Sequence, residues 1–146
     1  MTSQTAGLIV GGLMPALVWG VYNTMVKATT RAGIAVGPFL IAVGIATAVS
    51  GTALLFVIPD RSVSLRSGSL AVLTGIIWAV AAGLVAFALI RFNAAISQLT
   101  PLFSMSVLVT VLLGLVLFSE WREVNAPRLL AGSAFVVLGA LLVSTS

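Results

Sequence analysis

From its first residue to its last, the chain alternates long apolar stretches with short clusters of charge. Charged side chains stand at Lys27, Arg31, Asp60, Arg61, Arg66, Arg91, Glu120, Arg122, Glu123 and Arg128, and at no other position. Between and around them lie five charge-free stretches: 1–26, 32–59, 67–90, 92–119 and 129–146. A helix rising about 1.5 Å per residue needs roughly 20 residues to cross a hydrocarbon core of about 30 Å. The pattern therefore predicts five membrane-spanning helices, at 5–26, 33–58, 68–90, 97–118 and 127–143. These runs are far too long for barrel strands, which need about 9–11 residues of alternating polarity. The expected class is all-α, a helical membrane bundle forming one domain. The connectors leave no room for a linker or a second domain, and their shortness makes successive spans antiparallel hairpins. No Lys or Arg precedes the first span and no small-residue cleavage site follows it, so it is expected to be retained rather than removed as a signal.

Prolines and small residues refine this reading. Pro38 and Pro101 fall in first turns, Pro59 ends the second span, and Pro127 occupies a first helical position, where its missing N–H costs nothing. Pro15 is the exception. Near the middle of the first span it should kink the helix and free a carbonyl, which is tolerable only where neighbours or cavity water satisfy it. Small residues recur in stripes: Gly37, Gly44 and Gly51 in the second span, Gly75, Ala79, Ala82 and Ala86 in the third, Gly132 and Gly139 in the fifth. Such stripes let helix backbones approach in lipid, where no hydrophobic drive operates between spans. Packing within one bundle and contact between subunits are both open for them.

Composition agrees. Of 146 residues, 60% are apolar and 7% charged, against about 25% charged in a soluble domain. The net charge of +4 comes from basic residues scattered over separate connectors. They form no continuous stripe and carry no aromatic interleaving, so nucleic acid is not an expected partner; they read as headgroup anchors. There is no Cys and no His, which removes disulfides, most metal sites and most general-base chemistry. All three carboxylates lie at span ends beside basic residues. No catalytic site, metal or cofactor is expected.

With five spans the chain ends lie on opposite sides of the membrane. Arg61, Arg66, Arg122 and Arg128 then share one side, and Lys27, Arg31 and Arg91 share the other. The excess of basic residues that orients a membrane protein is nearly nil. Either one topology still prevails, or the chain inserts both ways and pairs as an antiparallel dimer. The second would build an inverted-repeat carrier without gene fusion.

From the third span onward the sequence resembles the EamA-type repeat of the drug/metabolite transporter superfamily. The residues that carry the likeness are Gly75-Ile-Ile-Trp78 through Phe87-Ala-Leu-Ile-Arg91 and a turn ending in Ser97-Gln-Leu-Thr-Pro101. A fourth span closing on Leu117-Phe-Ser-Glu120 follows, with Gly132 and Gly139 in the fifth. Trp19-Gly20 and Lys27 add a weaker match in the first span. The family is similar in opening its fourth helix with Pro, closing it with Glu and placing two glycines in the last. This chain departs at Ser119, where the family usually has Gly. The likeness is to one repeat where larger members carry two, which implies a half-size carrier working as a homodimer or with a related half.

Candidate substrate-binding residues are those polar or aromatic groups that could face an internal cavity. Pro15, Trp19, Tyr22 and Asn23 fall on one face of the first span, at i, i+4, i+7 and i+8. Cavity lining and an interhelical hydrogen bond with aromatic filling are both open for them. Trp78, with Thr74 one turn before it, is the second candidate. In the fourth span Ser97, Pro101 and Ser104 share one face while Ser106, Thr110 and Gly114 share nearly the opposite one; Ser104 is the preferred lining residue. Gln98 stands near the mouth. Glu120 is expected to act structurally, capping the fifth helix or pairing with Arg122 or Arg128. No Asp or Glu lies mid-span, where each would cost roughly 2.5–3.5 kcal/mol and be present only for a reason. A neutral or zwitterionic solute is therefore expected in preference to the cations moved by proton-coupled exporters. The main rival is a small non-transporting subunit that stabilises a larger complex, with a multidrug or cation exporter behind it. The expected location is a plasma membrane, the inner one in a bacterium.

Overall fold

The structure, a computed structural model, describes residues 3–122 and 124–144. Among them the protein is all-α, with five helices long and apolar enough to cross a membrane: Thr5–Arg31, Val36–Val57, Leu65–Arg91, Ile96–Leu117 and Ala126–Ser144. Leu17, Phe56 and Leu142 are 69%, 82% and 74% exposed. Apolar surface of that kind on every span belongs in lipid or against a partner, and the chain is an integral membrane protein. The charges keep to the boundary. Arg66 is in the first turn of the third span, Arg128 in the first turn of the fifth, and Arg31 and Arg91 end the first and third. Lys27 lies within about 6 Å of the first span's end at the usual helical rise. Glu123 lies outside the described residues.

The helix ends differ from the sequence reading where local chemistry extends or shortens a run. The first span continues past Val26 to Arg31 and stops because Gly33 takes a left-handed φ of 92°, a conformation nearly free for glycine and costly for other residues. Gly33 thus terminates one helix instead of starting the next, and the second span begins at Val36. It ends before Pro59, with Ile58 extended at φ −107° and ψ 115°, as the residue before proline prefers. The third span starts at Leu65, three residues before the expected Gly68. Its first turn is closed by a reciprocal box: the Ser67 N–H donates to Ser64 Oγ at 3.1 Å and the Ser64 N–H to Ser67 Oγ at 2.9 Å. At its other end Asn93 adopts φ 48°. In the fifth span the Arg128 N–H donates to Asn125 Oδ1 at 3.1 Å, so Asn125 caps that helix.

Two spans are irregular, each beside a proline. In the first, Ile9–Leu13 forms a π turn and the Met14 N–H reaches back to the Ile9 carbonyl. The proline ring at 15 would strike the carbonyl four residues earlier in a regular helix; the wider turn, made easy by Gly11 and Gly12, moves it aside. In the fourth span Pro101 is the sixth residue of Ile96–Phe103, beyond the first turn where it was expected. The helix tightens just after it. Ser104 donates to the Pro101 carbonyl at 2.9 Å and Met105 to the Leu102 carbonyl at 3.1 Å, before Ser106–Leu117 resumes.

The chain divides into two compact units, Met1–Asn93 and Ala94–Ser146. In the first, the third span is the common partner against which both the first and second spans pack. Its small residues make this possible. Ala86 is fully buried, and a Cβ added at Gly83 would stand 3.3 Å from Leu40 Cδ1. In the second unit the fifth span lies along both halves of the fourth. The fifth span's packed face is Ala126, Leu130, Ser133, Val137, Ala140 and Ser144, alternating steps of four and three. Ser133 is buried there because its hydroxyl donates to the Leu129 carbonyl at 2.9 Å, which removes the cost of hiding it. Gly132 and Gly139 lie one residue, about 100°, round the helix from this face, and a Cβ at either would meet nothing within 4 Å. Gly37, Gly44, Gly51 and Gly75 are likewise open. These glycines make no close approach within their own units.

Candidate functional site

The first span carries the best-defined polar and aromatic face. Pro15, Trp19, Tyr22 and Asn23 share it, as their spacing predicts, and the same face continues to Val26 and Thr30. Pro15 is half-buried, and from Trp19 onward the face passes from exposed to buried. Trp19 is 49% exposed, Tyr22 and Asn23 are half-buried, and Val26 and Thr30 are 4% and 9% exposed. The Trp19 and Tyr22 rings meet edge to face, with centroids 5.0 Å apart and planes at 83°, the arrangement favoured by the ring quadrupoles. At the closed end the Thr30 hydroxyl donates to the Lys27 carbonyl at 3.0 Å, so it buries no unsatisfied group.

The other helices of this unit show the same gradient. In the second span Phe39 is buried and Leu40 and Val43 are half-buried, whereas 44–57 is exposed throughout. In the third, Ala86 and Leu89 are buried and 69–77 is exposed. The three helices therefore pack at the end where the first span finishes, the second begins and the third finishes; towards the other end their faces are uncovered. Trp19, Tyr22 and Asn23 stand where packing gives way to open surface. Trp78 occupies the matching place on the third span: half-buried, on the stripe Trp78, Ala82, Val85 and Leu89, with exposed residues before it. Beside it, between the second and third spans, an apolar groove of about 470 Å³ is lined by Leu40, Ala79, Gly83 and Phe87 among others. None of the candidate binding residues lines that groove.

Several polar residues near these positions are occupied by their own helices. The Thr74 hydroxyl donates to the Leu70 carbonyl at 2.9 Å and that of Thr24 to Gly20 at 3.1 Å. Thr47 and Thr52 bond back to Val43 and Ala48 at 2.8 and 2.9 Å. This leaves the indole N–H, the phenol and the carboxamide as the groups that can address a solute. They offer donors, an acceptor and ring faces, with no formal charge.

Gln98 and Ser104 belong to the second unit. Gln98 is exposed in the first turn of the fourth span, and Ser104 is half-buried at the break behind Pro101. Ser104 falls on the stripe Ser104, Leu108, Val111 and Leu115, which deepens to full burial at Leu115. Glu120 lies in a short 3₁₀ turn, Glu120–Arg122. Its side chain folds back onto the fourth span, where a Cβ added at Gly114 would meet Glu120 Oε2 at 2.8 Å. Asn125 rather than Glu120 caps the fifth helix. Ser119, just before the Glu, holds φ 58°.

Sequence reasoning missed Gly83 and the continuation of the first-span face to Val26 and Thr30. Both were signalled, Gly83 by its four-residue spacing from Ala79 and the face by the same 3.6-residue period that picked out Trp19. The whole is a small helical membrane protein whose polar, uncharged face sits at mid-span. No protein-family model, no curated protein and no solved structure matches the chain.

Proposed function

We propose that the protein is a carrier for a small, uncharged or zwitterionic polar solute, bound at the face made by Trp19, Tyr22 and Asn23, with Trp78 at the matching level of the third span. The single observation behind this reading is the burial gradient along that face, from half-open at Trp19 to closed at Thr30. A face closed at one end and open at the other, with hydrogen-bonding groups at the transition, suits a site reached from one side at a time. The spans hold no carboxylate, which favours a solute without net positive charge over the cations of proton-coupled exporters. The activity is transport without covalent chemistry.

On this reading the functional particle is a dimer, and the near-equal charge on the two sides supports antiparallel pairing into a ten-helix, inverted-repeat carrier of a plasma membrane. The EamA-type likeness points the same way. Purified protein in liposomes, offered amino acids, sugars and quaternary amines in turn, should take up a member of the first two groups. Trp19→Ala and Asn23→Ala should each cut that flux about tenfold, the weight of roughly 1–2 kcal/mol for one lost ring contact or hydrogen bond. Their size-exclusion profiles should match the parent. Equal loss of folding and flux would return both residues to packing.

A second reading has its own support. The glycines of the second and fifth spans meet nothing within 4 Å, as they would in a non-transporting subunit whose stripes fit a larger complex. Recovery of the tagged chain in stoichiometric association with a different membrane protein, together with no uptake in liposomes, would favour that role.

A further inference from the structure

We infer that the connector between the second and third spans, residues 58–64, together with the first residue of the third span, is an interfacial anchor that lies in the headgroup layer with Val63 and Leu65 inserted among the upper acyl chains. These two side chains are 84% and 93% exposed. They are not left so by a loose loop, because the connector is ordered by its own hydrogen bonds. The Ser62 N–H donates to Asp60 Oδ1 at 3.0 Å, and the Ser64 and Ser67 amides exchange bonds with each other's hydroxyls. Arg61 reaches back to the Leu55 carbonyl at 3.3 Å, covering one of the acceptors that the end of a helix leaves open.

Two consequences follow. The Ser62 and Ser64 amides and the Arg61 guanidinium have partners within the chain, and the headgroup layer is wet enough to bond the remaining backbone groups, so placing the connector there strands few of them. The apolar side chains are held outward, and the connector joins two spans at the bilayer surface. The only apolar phase within their reach there is the edge of the acyl region. Charge fits the same occupant. Arg61 and Arg66 flank Val63 and Leu65, and basic side chains at this level sit beside lipid phosphates while their stems remain in the apolar layer. The partner is thus the surface of the bilayer itself, and the segment works as a fixed float that sets the depth and tilt of the second and third spans.

The chain has no cysteine, so single-cysteine variants can carry one nitroxide label without further changes. Asp60→Cys, Ser62→Cys, Val63→Cys and Leu65→Cys would each be labelled in liposomes of mixed phosphatidylcholine and phosphatidylglycerol. Collision with oxygen, which concentrates in lipid, is then compared with collision with a water-soluble nickel chelate. Oxygen should dominate at 63 and 65 and the chelate at 60 and 62, so the ratio inverts within three residues. Dominance of the chelate at all four positions would overturn the inference, and so would an equal ratio at all four. The readout does not involve transport, so it stands or fails separately from the carrier proposal.

Discussion

Ser119 shows how much one backbone angle can explain. It follows the last turn of the fourth span with φ 58°, after Phe118 has closed the helix on the Gly114 carbonyl at 3.1 Å. A left-handed residue just past a helix end is most often glycine, since any Cβ crowds the following carbonyl. Ser119 therefore carries strain that a glycine would not. Ser119→Gly should raise resistance to denaturant in detergent micelles by about 1 kcal/mol, since the relieved strain outweighs the added freedom of the unfolded chain. An unchanged or lowered midpoint would show the strain to be absent. Asp60 is a smaller case. The backbone and side chain of Ser62 hold its carboxyl below the usual range. A depressed carboxyl adds stability above its ordinary range, which fades as pH falls through the lower, folded value. On so exposed a group the effect is local to the connector.

At the scale of elements, the packing in the first unit turns on Gly83. The third span serves two neighbours, and its close approach to the second is possible because no side chain stands between Gly83 and Leu40. Gly83→Ala puts a Cβ 3.3 Å from the end of a flexible leucine, which can yield, so stability should change little. Gly83→Val should cost about 1–3 kcal/mol by overpacking, read as a lower unfolding midpoint with helix content unchanged. Equal effects of Ala and Val would mean that the two spans do not approach as described. The prolines act at the same scale. Pro15 and Pro101 each disturb the helix within about a turn, one by widening it and the other by tightening it, and the second disturbance includes the candidate residue Ser104. The candidates of the first span were legible because helical period alone puts Trp19, Tyr22 and Asn23 on one face. Which face was packed, and how far along, was not legible.

For the whole molecule the open question in sequence was orientation, with four basic residues on one side and three on the other. A reporter at the C-terminus should give signal on both sides of the membrane in the parent chain. The C-terminus shares its side with Lys27, Arg31 and Arg91, so Arg91→Ser leaves four against two and should move the reporter to the outer face alone. Signal from one side only in the parent would end the dual-insertion idea while leaving the carrier reading intact. The uncovered ends of the first-unit helices belong to this scale too. Apolar surface of that extent is stable only in lipid or against another chain.

The sequence by itself determined that five helices cross a membrane. Sparse charge and long apolar runs leave no other phase for the chain, and backbone groups in lipid must bond within their own segment. It also determined the polar face of the first span, since that depends only on helical period. Only the tertiary structure decided which stripes are used for packing. Ala86, Ser133 and Ala140 are buried and Gly83 is half-buried against Leu40, while Gly44, Gly75, Gly132 and Gly139 stay open, although all are small and periodically placed. The physical reason is rotational. In lipid a helix gains little from burying one apolar face over another, so its rotation is set by the fit of side chains on the neighbouring helix, which no single segment encodes.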